Sequence, residues 1–208
     1  MTGYRIPGPT CGTRSGSLDT GTLARTLSPA PGPVGSQGSG NGIDRTTPAE
    51  RARLQEIRRL VSANNRSTLD NDLVICQIYM ESRFDPMAKA PGSSAKGLMQ
   101  LLKQAVQQVF KYRKQKELGH MPSDKVTQAA FDEGKELHQS ALIYNEAVNI
   151  QLGTEYMQYL LDKKIGTEQA FGRYRDSGNG VYYRKIKTAA DKLRRAPDSM
   201  QPLYEMVK

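Results

Sequence analysis

Between Asp70 and Glu81 the chain carries Leu73, Val74, Cys76, Ile78 and Met80, a helical pattern that is apolar on more than one side. Only a helix enclosed by other elements can bury such a surface, so this segment predicts the central helix of a small core. Pro86 and Pro91-Gly92 prevent its continuation and turn the chain away. The helix ends on Glu81, with Ile78 and Gln77 one turn back as apolar and polar flanks. Desolvation and the negative end of the helix dipole both disfavour a charged carboxylate there. A carboxyl in that setting keeps its proton near neutrality, as general acid catalysis at a glycosidic oxygen requires.

The flanking sequence reads as more helices. Thr47-Pro48-Ala49-Glu50 is a capping box, and Leu54, Ile57, Leu60 and Val61 recur at helical spacing until Asn64-Asn65. Arg51, Arg53, Arg58 and Arg59 on this helix are expected to form a solvated basic face. After a loop through Ser93-Ser94, a helix is predicted over about 95–115, burying Leu98, Leu101, Leu102, Val106 and Val109 before Gly119 and Pro122. Residues 123–164 form the longest helical region, with an interruption expected near Lys135–Gln139. Thr167 caps a short helix holding Ala170 and Phe171, Gly178-Asn179-Gly180 turns the chain, and a last helix over about 181–195 ends before Pro197. No strand alternation or repeat appears. The fold class is all-α: a single globular domain of five to eight helices around one core.

Residues 1–46 are rich in Gly, Ser, Thr and Pro and cannot offset their ordering entropy, so they predict a flexible segment ahead of a domain at 47–208. The chain's 208 residues fit one sizeable domain with such a tail. A net charge of +9 draws a surface toward polyanions. No zinc-finger spacing, aromatic sheet motif or basic arm is present, so no dedicated nucleic-acid partner is expected. Cys76 in its apolar run reads as a buried thiol rather than a partner of Cys11. His120 and His138 make neither a zinc site nor a Ser–His pair, Ser93 and Ser94 read as turn or cap residues, and no metal or cofactor is expected. No apolar run reaches the ~18 residues of a membrane span.

Glu81-Ser82-Arg83-Phe84-Asp85-Pro86, followed by Ser94-Ala95-Lys96-Gly97-Leu98-Met99-Gln100, resembles the catalytic signature of soluble lytic transglycosylases and goose-type lysozymes. Asn149-Ile150-Gln151-Leu152-Gly153 with Tyr156 and Leu160-Leu161 is similar to that family's long central helix. Ala170 through Tyr183, with Tyr174, Gly178 and Gly180, is similar to its tyrosine–glycine segment. The resemblance implies a lysozyme-like fold and cleavage of the β-1,4 bond from N-acetylmuramic acid to N-acetylglucosamine in peptidoglycan. Glu81 would be the acid/base and Ser82 would support its orientation. Gly97 would let backbone approach sugar, while Met99 and Gln100 would line the cleft. Asn149 would anchor or contact ligand, and Tyr174 would reach toward Glu81 or the N-acetyl group.

Two departures stand out. The tyrosine–asparagine–any–glycine segment is replaced by Tyr174-Arg175-Asp176-Ser177-Gly178, and Lys103 stands where a proline is usual. With no second carboxylate forced into place, a 1,6-anhydro product is favoured over hydrolysis. A hydrolase would need a carboxylate to hold water, and Asp85, Asp132, Glu133, Glu136 and Asp176 are the candidates. Peptidoglycan glycan strands are the expected partner. The start Met1-Thr2-Gly3-Tyr4-Arg5 lacks a signal peptide's apolar run, so delivery to the periplasm or cell wall is expected by another route. That combination is compatible with a secreted antibacterial toxin, for which an immunity or inhibitor protein is a further candidate partner, and also with a phage enzyme that opens the wall; a glycan-binding protein without turnover is the remaining class.

Overall fold

The Thr47 hydroxyl accepts from the Glu50 amide, and the Glu50 carboxylate accepts from the Thr47 amide at 2.9 Å, so the first helix starts where its capping box predicts. The computed structural model describes residues 44–175 and 180–208. The helices are α1 (Pro48–Asn64), α2 (Asn71–Ser82), α3 (Lys103–Leu118), α4 (Asp124–Gln139), α5 (Glu146–Asp162), α6 (Thr167–Tyr174), α7 (Val181–Arg195) and α8 (Gln201–Met206). A 3-10 helix, Ala141–Tyr144, lies between α4 and α5. Among the described residues there is no strand, only isolated bridges at Lys96. The all-α expectation holds.

Helix α2 is the centre of the core, with Val74, Cys76 and Ile78 wholly inaccessible and Ile75 nearly so. Each such side chain contributes roughly 1.5–3 kcal/mol on burial. Helices α1, α7 and α8 pack around it, while α5 joins α1, α3 and α6. Cys76 is a free, buried thiol, and burial raises its pKa. Cys11 lies outside the described residues, as does most of the segment expected to be flexible. Gly42–Lys208 form one compact unit. Ordered contact already begins ahead of Thr47, where the Thr46 hydroxyl accepts from the Met200 amide at 2.7 Å.

Several expectations are corrected. The helix predicted from 95 begins at Lys103. Gly97 and Gln100 have φ of 75° and 47°, left-handed values that a helix cannot contain. Residues 96–101 instead form a tight loop closed by Lys96 and Leu101, which exchange backbone hydrogen bonds of 3.2 and 3.0 Å. Leu98 and Leu101 are still buried, but Leu102 is 42% exposed. The break expected at 135–139 falls at 140–145. There Ser140 and Asn145 accept from the amides of Leu142 and Val148, restarting the chain twice. The basic face of α1 is not simply solvated. Arg53 pairs with Glu146 at 2.8 Å and donates to the Phe84 carbonyl at 2.9 Å, and Arg58 pairs with Asp72 at 2.7 Å. Helix α8, beyond Pro197, was not expected.

Candidate active site

Arg83 closes α2 in the left-handed region (φ 56°), and its guanidinium donates to the carbonyls of Tyr79 and Met80 at 2.6 and 2.9 Å. Phe84 follows with φ 65° and is buried. Two successive left-handed residues reverse the chain sharply and leave Glu81 in the last turn of the helix. The Glu81 side chain is 12% exposed and lines a cleft of about 590 Å³ with Gln100, Tyr156, Arg173, Tyr174 and Arg175. The Tyr182 hydroxyl donates to Glu81 Oε1 at 2.5 Å. The Arg175 guanidinium lies 3.7 Å from the same oxygen and 5.1 Å from the centre of the Tyr182 ring.

These neighbours act in opposite directions. Burial raises the Glu81 pKa, while the Tyr182 hydrogen bond and the charges of Arg175 and Arg83 lower it. Burial prevails, so the carboxyl holds its proton above the ordinary carboxylic range. Tyr182 is itself pushed well up, by burial and by the charge on Glu81, and stays a donor. Sequence reasoning did not single out Tyr182. It opens α7, a helix packed against α2, and only that packing brings its hydroxyl to Glu81.

The loop 94–101 forms one wall of the cleft, and buried groups hold it from behind. Asn149 Oδ1 accepts from the Met99 amide at 2.8 Å, and its Nδ2 donates to the carbonyls of Ile143 and Lys96 at 2.8 and 3.2 Å. A Cβ on Gly97 would sit 2.3 Å from Asn149 Nδ2, so the close approach made at Gly97 is to Asn149. The Tyr174 hydroxyl donates to the Met99 carbonyl at 2.7 Å. His138 Nε2 lies 2.8 and 3.1 Å from the carbonyls of Ser94 and Leu101. Carbonyls only accept, so this nitrogen carries the proton. His138 was considered in sequence only as a ligand or a base. It is a loop anchor, and burial lowers its pKa.

The expected residues therefore divide. Glu81, Gln100 and Tyr174 meet at the cleft. The Met99 side chain is fully buried over Gly153 and does not line it. Asn149 is fully buried and holds the loop. The Ser82 hydroxyl donates back to the Ile78 carbonyl at 3.1 Å. Asp85 accepts from the Met87 amide in its own turn, and Asp132, Glu133 and Glu136 lie on the exposed side of α4, none of them lining the cleft. Asp176 and Gly178 lie outside the described residues. Among the described residues no cluster of His, Cys, Asp and Glu could hold a metal.

A family model described as the transglycosylase SLT domain matches residues 60–196, more than half of the chain. The chain belongs to that family. No curated protein and no solved structure matches it. The matched span of the SLT domain runs from the end of α1 to the end of α7, so it holds Glu81, the loop, Asn149, Tyr174 and Tyr182 but not α8. Membership makes the chain a lysozyme-like, peptidoglycan-directed enzyme of the transglycosylase type. Of its described helices, none is long and apolar enough to cross a membrane. The lysine in place of proline has a local reason: the Lys103 amide donates to Ser94 Oγ at 3.2 Å, a bond proline would lack.

Proposed function

We propose that this SLT-domain enzyme is a lytic transglycosylase that cleaves the β-1,4 bond from N-acetylmuramic acid to N-acetylglucosamine, with Glu81 as both acid and base. The observation that carries the reading is a nearly buried carboxyl, raised in pKa, on the wall of a cleft large enough for sugar. Protonated Glu81 donates to the glycosidic oxygen as the bond to the muramic C1 breaks. The acetamido oxygen of the same sugar closes on C1 and takes up the developing positive charge. Glu81, now ionised, removes the proton of the C6 hydroxyl, whose oxygen displaces the acetamido oxygen from C1. The products are a 1,6-anhydro end and a free 4-hydroxyl, and Glu81 regains its proton. Tyr182 and Arg175 stabilise the carboxylate between the two proton transfers.

The anhydro product is the choice that membership of the transglycosylase SLT family favours. Mass spectrometry of digested wall glycan tests this: anhydro ends are expected, and reducing ends carrying solvent oxygen would make the enzyme a muramidase. Glu81→Gln should lower turnover at least about 100-fold while glycan still binds. Undiminished cleavage by that variant would remove Glu81 from the mechanism.

A further inference from the structure

A second cavity, of about 520 Å³, opens between the C-terminal halves of α3 and α5. Its lining includes Lys111, Tyr112, Lys116, Met121, Tyr159 and Lys163. Tyr112 and Tyr159 meet edge to face at 5.6 Å, and each carries an ammonium over its ring. Lys116 Nζ lies 5.0 Å from the Tyr112 centroid and Lys163 Nζ 4.3 Å from that of Tyr159. Neither lysine makes an ion pair among the described residues. The carboxylate in the lining, Asp162, is already engaged: it accepts from the Tyr112 hydroxyl and from Gln158 Nε2 at 2.6 Å. Two ammonium groups, those of Lys116 and Lys163, thus sit on the rings that line the cavity, against one satisfied carboxylate. Such a site takes an anion. Met121, 59% exposed at its edge, adds an apolar contact.

The cavity is tied to the catalytic cleft. Tyr159 stacks on Tyr156 at 6.0 Å, and Tyr156 lies 5.6 Å from Tyr174 within the cleft lining. An anion held by Lys116 and Lys163 is therefore best supplied by the molecule whose sugars occupy the cleft. We propose that this cavity is a subsite for the carboxylates of the stem peptide borne by the wall glycan. The proposal rests on the peptidoglycan reading and extends it: Glu81 selects the bond, and the lysine–tyrosine site selects strands that still carry acidic peptide.

The test is binding of a soluble muramyl peptide with its acidic stem intact, measured by calorimetry at low salt, beside the same muramyl unit without peptide. Lys116→Gln/Lys163→Gln should weaken binding of the peptide-bearing unit about fivefold, the loss expected for two partly exposed charge pairs. It should leave the peptide-free unit unchanged. Lys125→Gln/Lys135→Gln on α4 removes the same charge away from the cavity and should behave as wild type. On peptide-bearing wall glycan the cavity variant should raise KM with kcat held within about twofold, and high salt should abolish the difference. Equal binding by the two double variants overturns the subsite, as does an equal loss for the peptide-free unit. A KM difference that disappears once teichoic phosphate is stripped from the wall overturns the carboxylate assignment. The calorimetry needs no turnover, so an inactive wild-type enzyme would refute the catalytic reading while the subsite was still judged by binding.

Discussion

In the proposed mechanism the carboxyl that gives a proton and later takes one back needs neighbours that stabilise its charged form without fixing it. Glu81 has two, Tyr182 and Arg175, set against its burial. Tyr182→Phe removes the hydrogen bond to the ionised form, so the Glu81 pKa should rise further. The alkaline limb of the kcat/KM profile should then move to higher pH; a limb that stays in place would show that Tyr182 does not act on Glu81. The same burial has a cost in stability. Because the folded pKa lies above the unfolded one, stability is full below the unfolded pKa and is lost as pH rises through the folded value. A Glu81→Gln chain should therefore lose less stability than wild type across that window, as thermal unfolding at acidic and neutral pH would record. One turn back, Gln77 is fully buried, and neither amide atom has a partner among the described residues. Gln77→Leu replaces the unpartnered amide with an apolar side chain of similar size and removes that desolvation cost. It should stabilise the fold by about 1 kcal/mol in urea unfolding, and a destabilised variant would mean the amide has a role of its own.

At the scale of elements, the wall formed by residues 94–101 depends on close approach. Gly97→Ala places a methyl carbon against Asn149 and strains a left-handed backbone, so it should cost about 1–3 kcal/mol by overpacking and displace the Met99 amide from Asn149. Urea unfolding and lytic activity should both report it; an unchanged midpoint would sink the clamp. This wall also marks where sequence reading stopped. The start of α1 was legible because Thr47 and Glu50 satisfy each other within a few residues. The burial of α2 was legible because apolar side chains cover more than one face. The start of α3 was not, since Leu98 and Leu101 are buried either in a helix or across a turn, and the spacing does not separate the two cases. Gly97 carried the missing signal, but its reason is a contact with Asn149, far along the chain. Tyr182 and His138 were illegible for the same cause: each acts on a segment that only tertiary packing brings to it.

At the scale of the whole molecule, α2, the helix that carries Glu81, is held from the rear by elements that come last in the chain. Helices α7 and α8 pack on α2 and on one another, and Met200, Leu203 and Met206 are buried beneath them. Lys192 pairs with Glu205 at 2.7 Å, and the Met200 amide reaches back to Thr46, so the C-terminal segment joins both ends of the domain. A helix as short as α8 leaves too brief a period to recognise in sequence, and Pro202 in its first turn resembles a terminator as much as a start. Its burial says that it is part of the core. Truncation after Ala196 removes Met200, Leu203 and Met206, each contributing roughly 1.5–3 kcal/mol on burial, and uncovers the surfaces of α2 and α7 against which they pack. It should also loosen α7 and with it the Tyr182 hydrogen bond to Glu81. The truncated chain is expected to unfold at lower urea and to lose lytic activity at temperatures where the full chain works. If it kept the full chain's midpoint and rate, the rear of α2 would be supported by α7 alone.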